Sequence, residues 1–277
     1  MSRATISAVI LTLNEECDLH VSLASVKWCD RLIVLDSGSD DNTVRVAHQC
    51  GASVYIHKPV GQFLISNQRN WALDNCDITT DWILFLDADE EVGPQLVDTI
   101  QACVNSNNTL DAYELTPRYW FLGRWLKRTQ GYPNWHPRLI RRDCARFEGG
   151  VWESFSNGSR VGRISVPYEH YAFSKGFDDW LERHRRYASW DAEQIVNFLT
   201  THNSASLTTL RWRRIRLILS KFWWLRPPLR FLQKYVLQAG FLEGWQGLLF
   251  ALMMAGYDMM TVIKVIELLR KEKNLPL

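Results

Sequence analysis

A chain of 277 residues with 47% hydrophobic composition can hold one large domain, or one domain with an appendage. Charged residues make up 22% and the formal net charge is only +2, which excludes a disordered chain and a simple basic nucleic-acid binder. The six cysteines (Cys17, Cys29, Cys50, Cys76, Cys103 and Cys144) form no CxxC pair and no metal-finger spacing, so they are expected to be reduced structural thiols of a cytosolic protein.

The first half alternates strand and helix. Ile6–Leu13 is a continuous apolar run, as a strand buried on both faces should be. It is short, it runs straight into Asn14-Glu15-Glu16 and no small-residue cleavage site follows, so it is expected as a first strand and not a signal peptide. The spacing then predicts a helix over 16–25, a strand over 31–36, and a helix capped by Asp40 or Asp41 that reaches Cys50. A strand over 53–57, a helix over 63–75 and a strand over 82–86 follow. Pro94 suits the first turn of a helix that runs to about Ser106. Residues 113–171, rich in aromatics, Arg and Gly, read as shorter strands and loops able to build an acceptor pocket. Residues 176–197 have helical spacing with a mixed-charge face. Strands separated by helices imply an α/β fold with a mostly parallel sheet and right-handed crossovers. We expect a catalytic domain over residues 1–200 and a basic, apolar helical region over 201–277.

Ligands of such sheets bind at the carboxyl ends of the strands. Three polar clusters fall there: Asn14-Glu15-Glu16, Asp36-Ser37-Gly38-Ser39-Asp40 and Asp87-Ala88-Asp89-Glu90-Glu91. Two carboxylates two residues apart at a strand end can divide the work around a divalent cation, one binding metal and one ordering the nucleoside. Hard oxygen ligands suit Mg²⁺ or Mn²⁺, which neutralise charge on a leaving diphosphate. Asp36 can accept from a base N–H or a ribose hydroxyl, or it can simply cap a strand-to-helix turn.

Read together, 8–16, 34–43 and 82–91 resemble, in order and spacing, the three N-terminal motifs of family-two glycosyltransferases of the GT-A fold. The closer resemblance is to the branch that contains lipopolysaccharide core β-1,4-glucosyltransferases. It covers roughly the first 170 residues, and residues 235–247 are similar to that branch's tail. The resemblance implies a nucleotide-diphosphate sugar donor, a divalent cation (Mg²⁺ or Mn²⁺) and inversion at the anomeric carbon. It implies that Asn14, Glu15 and Asp36 line the nucleotide, that Asp87 serves the nucleoside side and that Asp89 binds the metal. Gln68, Arg69 and Asn70 match a polar patch near the donor; Arg69 would reach a phosphate or sit on a helix surface. His170 matches a position that completes the metal shell or meets the diphosphate.

Inversion by direct displacement needs one general base for the acceptor hydroxyl. Glu153 is the candidate, with Glu148 its competitor. The related branch has His-Glu where this chain has Trp152-Glu153, so the carboxylate is kept and the imidazole is not. The alternative for Glu153 is a loop carboxylate paired with Arg138 or Arg141. The arginines of 137–142 would meet an anionic acceptor or solvent.

No Asp or Glu occurs over 195–242, whereas Arg211, Arg213, Arg214, Arg216, Lys221, Arg226, Arg230 and Lys234 do. Cations interleaved with Trp and Leu suggest an anionic membrane surface ahead of nucleic acid, each cation adding about 1 kcal/mol near anionic lipid. The apolar stretch 236–257 is interrupted by Gln238, Glu243, Gln246 and glycines, so it reads as a helix lying in the interface or re-entering it, or as a helical subdomain packed on protein. The expected function is transfer of a hexose, from UDP-glucose, to a lipid-linked glycan such as a lipopolysaccharide core, at the inner face of the cytoplasmic membrane and without nucleic acid. A polyprenyl-linked or other envelope acceptor is the nearest rival, and a catalytically inactive nucleotide-binding membrane scaffold is the rival of another class.

Overall fold

Every residue of strand β1 (Ile6–Thr12) is buried, because side chains of both parities enter a core. The computed structural model describes residues 3–61, 63–106, 109–149, 153–201 and 220–277. Ile6, Ala8 and Ile10 point into one apolar cluster with Leu19 and Leu23 of helix α1 (Leu19–Ser25), Ala47 of α2 (Thr43–Gln49) and Leu96 and Ile100 of α4 (Pro94–Asn105). Val9 and Leu11 point the other way, with Ala72 and Cys76 at the end of α3 (Ile65–Asn75). Helices therefore cover both faces, which is what the unbroken apolar strand required.

β1 pairs in parallel with β2 (Arg31–Asp36) and with β4 (Trp82–Asp87), and β2 with β3 (Ser53–Ile56). Beyond β4 the sheet becomes mixed. β8 (His136–Arg141) runs antiparallel to β4 and to β6 (Ala112–Phe121). β6 pairs in parallel with β11 (Val161–His170), and β5 (Glu90–Glu91) is antiparallel to β11. The order β3-β2-β1-β4-β8-β6-β11-β5 confirms the α/β expectation of a mostly parallel sheet flanked by helices. The register Leu11↔Asp87 and Thr12↔Asp36 brings the carboxyl ends of β1, β2 and β4 level. A short hairpin, β9 (Phe147–Glu148) with β10 (Ser154–Phe155), lies off this sheet. The first helix begins at Leu19 and not at Glu16, because Glu15 ends the β1 loop with its carbonyl accepting from Leu19 N at 3.0 Å.

These elements form one compact unit, residues 1–120 and 132–174. A second unit comprises 121–131 and 175–277, with strand β7 (Arg124–Trp125) and helices α5 (Gly176–Thr201), α6 (Arg226–Phe231) and α7 (Gly244–Glu272). Ala192, Ile195 and Val196 of α5 pack on Val265 of α7. Three of the cations expected to face lipid are instead used inside this unit. Arg226 Nη2 pairs with Asp191 at 3.0 Å and Asp258 at 2.9 Å, and Arg230 Nε pairs with Asp258 at 2.7 Å. Lys234 Nζ donates to the Thr129 carbonyl, and burial draws its pKa down to about 8. The segment 211–216 lies outside the described residues.

The 240–247 segment is a polar knot, not a continuous helix. A 3₁₀ turn over Gly240–Glu243 precedes α7. The buried Glu243 carboxylate accepts from Thr129 N at 3.1 Å, Thr129 Oγ1 at 2.7 Å and Arg128 N. A Cβ on Gly247 would stand 2.1 Å from the Gly240 carbonyl oxygen. In an open helix Gly→Ala gains about 1 kcal/mol; here the clash is with backbone, which cannot swing away. Gly247→Ala is expected to lower unfolding free energy by about 1–3 kcal/mol in a urea titration, and a stabilised variant would disprove this close approach.

Candidate active site

The carboxyl ends of β1 and β2 form a self-contained polar loop pair. Asp36 is wholly buried. Its Oδ2 accepts from Gly38 N at 2.9 Å and Ser39 N at 2.8 Å, and its Oδ1 from Thr12 Oγ1 at 2.9 Å and Ser39 Oγ at 2.5 Å. Two carboxylate oxygens offer about four acceptor sites; three are taken by the turn and one by Thr12 at the end of β1, so Asp36 here shapes the loop. Asn14, in the left-handed region at φ 57°, accepts from Asp40 N at 3.0 Å through Oδ1. Glu15 N donates to Thr43 Oγ1 at 2.7 Å. Asn14 and Glu15 thus join the β1 loop to the loop after β2, while Asp87, Arg69 and Glu153 are joined by ion pairs of their own.

Helix α3 is the organiser of that gathering. Its polar residues Ser66, Gln68 and Arg69 are buried. Gln68 Nε2 donates to Ser37 Oγ at 2.9 Å and to the His57 carbonyl at 2.8 Å, which fixes α3 against the ends of β2 and β3. Asn70 clamps the hairpin by exchanging hydrogen bonds with the Phe147 carbonyl at 2.8 Å and Phe147 N at 3.0 Å. Between these two anchors Arg69 is fully buried. Its Nη2 reaches Asp87 Oδ1 at 3.1 Å, its Nη1 pairs with Glu153 Oε2, and its guanidinium lies 5.5 Å from the Phe147 ring centroid. Arg69 is therefore no surface cation, and Glu153 is paired with Arg69 and not with Arg138 or Arg141. Glu148 on β9 is exposed, so the hairpin turns Glu153 and not its competitor toward the cluster.

Arg138 and Glu90 carry the other half; sequence reasoning names Arg138 only as a partner for Glu153 or an acceptor-facing cation, and Glu90 only as part of a polar cluster, and does not foresee their pairing. Arg138 is 3% exposed, so it is not a solvent-facing cation. Its Nη2 bonds Asp87 Oδ2 at 3.0 Å and Glu90 Oε1 at 2.6 Å. Glu90 Oε2 accepts from Asp87 N at 3.0 Å. A sequence signal existed: a cation in an otherwise apolar strand core, Pro137-Arg138-Leu139-Ile140, facing the Asp87 strand.

Electrostatics follows from this wiring. Burial alone would raise the Asp87 pKa, but Arg138, then Arg69 and His170, outweigh it and hold the carboxyl well below the usual carboxylate range. Burial raises Glu90, and Asp87 and Asp89 add to the rise against Arg138. Glu153 is also raised, by burial first, with Arg69 and Arg138 opposing. One Glu153 oxygen, Oε1, is buried with no hydrogen-bond partner among the described residues. A raised carboxylate with a spare lone pair is what a general base needs.

Asp89 and His170 meet at the edge of this cluster. His170 Nε2 stands 3.4 Å from Asp89 Oδ2 and Nδ1 stands 3.5 Å from Glu90 Oε1. Burial would pull the proton from His170, yet Asp89, Glu90 and Asp87 together raise its pKa, so the surroundings favour positive charge at this point. Among the described residues no three His, Cys, Asp or Glu side chains form a metal-holding group. An oxygen and an imidazole nitrogen fit a borderline or hard divalent cation that takes its other ligands from phosphate and water, and do not fit a closed all-protein cage.

Removing one partner of a buried ion pair costs about 3–5 kcal/mol. Arg138→Met should lower unfolding free energy by that amount, because Glu90 is wholly buried. The double variant Arg138→Met/Glu90→Gln should recover a large part of it in the same denaturation assay. Additive losses would show that the pair is not coupled.

The model for the glycosyl transferase family 2 matches residues 7–166. An uncharacterised glycosyltransferase of Rickettsia felis is 29% identical over 97% of this chain and 92% of its own length. A lipopolysaccharide core biosynthesis glycosyltransferase, LpsC of Rhizobium meliloti, is 23% identical over 95% of this chain and 92% of its own. Among solved structures, glucosyl-3-phosphoglycerate synthase from Mycobacterium tuberculosis, in complex with Mn²⁺, UDP-glucose and phosphoglyceric acid, is similar at a TM-score of 0.47 with 17% identity, over 64% of this chain and 74% of its own. The family match spans more than half of the chain and contains β1 from Ser7 onward, Asp36, Arg69, Asp87, Asp89, Arg138 and Glu153: the protein is a glycosyltransferase of family 2.

Proposed function

We propose that this glycosyltransferase moves a hexose, with inversion, from a nucleoside-diphosphate sugar such as UDP-glucose to a lipid-linked glycan of the lipopolysaccharide-core kind, at the cytoplasmic side of a membrane. One observation carries the reading. A single buried guanidinium, Arg69, bonds both Asp87 at the end of β4 and Glu153 on the hairpin. It joins the corner suited to a donor diphosphate to the carboxylate suited to an acceptor hydroxyl.

Glu153 would take the acceptor proton on Oε1 while Arg69 holds Oε2, so the base enters the reaction already oriented. Asp89 and His170 would hold Mg²⁺ or Mn²⁺, which when bound stabilises negative charge on the departing diphosphate. Asp87, locked between two arginines, positions the turn that presents Asp89. The likeness to LpsC along the whole chain supports a lipopolysaccharide-type acceptor, and the apolar composition of α7 supports a membrane-proximal one.

The test offers purified protein a panel of sugar nucleotides with Mg²⁺ or Mn²⁺ and follows free nucleoside diphosphate. Turnover with at least one donor is expected. No release and no binding with any donor would leave the inactive-scaffold reading. Glu153→Gln should lower kcat by about 10²–10⁴-fold. Because the base acts as carboxylate and its pKa is raised, the wild-type rate should be full above that raised pKa and fall as pH drops through it. An acid limb at the usual glutamate position would contradict the assignment. Asp89→Ala should abolish the response to added metal, and full retained activity would remove Asp89 from the metal site.

A further inference from the structure

Helix α7 buries one face and leaves an equally apolar face open. Gly247, Phe250, Ala251, Asp258, Thr261, Val262 and Val265 point inward. On the other side Trp245, Leu249, Leu252, Met259, Ile263 and Ile266 recur at intervals of three, four and seven, which is one stripe of a helix. Trp245 is 61%, Leu252 50% and Ile263 56% exposed. From Trp245 to Ile266 the stripe is about 32 Å long at helical rise. A monomeric soluble protein rarely leaves a patch of this kind uncovered.

We propose that this stripe is a membrane-docking face on which α7 lies tangentially in the headgroup–acyl boundary of an anionic bilayer. By length and composition α7 could cross a bilayer. Its inner face, however, holds Asp258, which is ion-paired to Arg226 and Arg230, and packs against α5, whose first turn carries Asp178 and Asp179. A span would drag those charges into hydrocarbon, whereas a tangential helix immerses only the stripe. The stripe starts with exposed Phe241 and Trp245 and α7 closes on Arg270 and Lys271, rings and cations suited to the interfacial zone. Charge selects lipid over a second copy of the chain. An isologous interface sets a patch against itself, so a second copy would bring the same acid-free stretch 195–242 and supply no countercharge to its cations beyond Arg226, Arg230 and Lys234. Anionic headgroups complement it. The inference deepens the reading above by fixing where lipid meets the protein, and rests on it for a lipid-borne acceptor.

Full-length protein would be sedimented with phosphatidylcholine vesicles made with and without phosphatidylglycerol. Wild type should partition to the anionic vesicles and release as salt rises. Leu252→Glu/Ile263→Glu should lower the partition coefficient by about tenfold or more, with sugar-nucleotide turnover in solution unchanged. If the glutamates disturb folding, Trp245→Ser/Ile263→Ser removes apolar area without charge and should weaken partition as well. Wild type that stays in solution with both vesicles overturns the proposal. So does a stripe variant that binds vesicles as wild type does, or one that turns a dimer into a monomer while vesicle binding holds. Partition and turnover are read separately: inactive protein that still binds vesicles sinks only the transferase reading, and active protein that does not bind sinks only this one.

Discussion

The chemistry of this molecule hangs on the pair of buried arginines around Asp87. Moving a charge out of water costs several kcal/mol even after relaxation. Arg69 and Arg138 are tolerated in the core only because each finds two carboxylates, Asp87 with Glu153 and Asp87 with Glu90. Asp87 is the shared member, and each of its oxygens faces a different guanidinium. Such a network has one low-energy arrangement, since a shift of any member leaves a buried charge unmatched. That is how a surface-reaching residue such as Asp89, two positions on, can be held in one place at the end of a strand.

Helix α3 explains why the arginine is there to be shared. It is weakly amphipathic, since its inward face is polar: Gln68 ties it to the β2 and β3 ends, Asn70 ties it to the β9–β10 hairpin, and Arg69 lies between. A helix inserted in this way transmits the position of the parallel sheet to a hairpin some 80 residues later in sequence. Glu153 owes its orientation to that bridge, and its raised pKa to burial, which outweighs the opposing arginines.

The second unit uses charge differently. Asp191 and Asp258 draw Arg226 and Arg230 inward, and Glu243 satisfies the 128–129 backbone. These polar pairs add to an apolar seam between α5 and α7, and α7 carries a second apolar face outward, where a soluble helix normally turns a polar one.

Much of the first unit could be read without coordinates. The unbroken apolar runs, the helix-forming segments between them and the three polar clusters at strand ends are local properties, set by periodicity and turn chemistry, and they placed β1, β2, β4, Asp36 and Asp87 correctly in the sheet and Asp89 just beyond its β4 end. Pairing is not local. That Arg69 would find Glu153 rather than water, that Arg138 would be buried on Glu90, that Asp36 would spend its acceptors on its own turn and on Thr12 and that Arg226 would turn to Asp258 all depend on residues about 20 to 85 positions apart, or on competition among donors. Composition determined that this chain would fold as an α/β protein with a basic, apolar tail. Only tertiary structure decided which charges are structural and which remain for chemistry, because the energy of a charge is set by what surrounds it and not by its place in the chain.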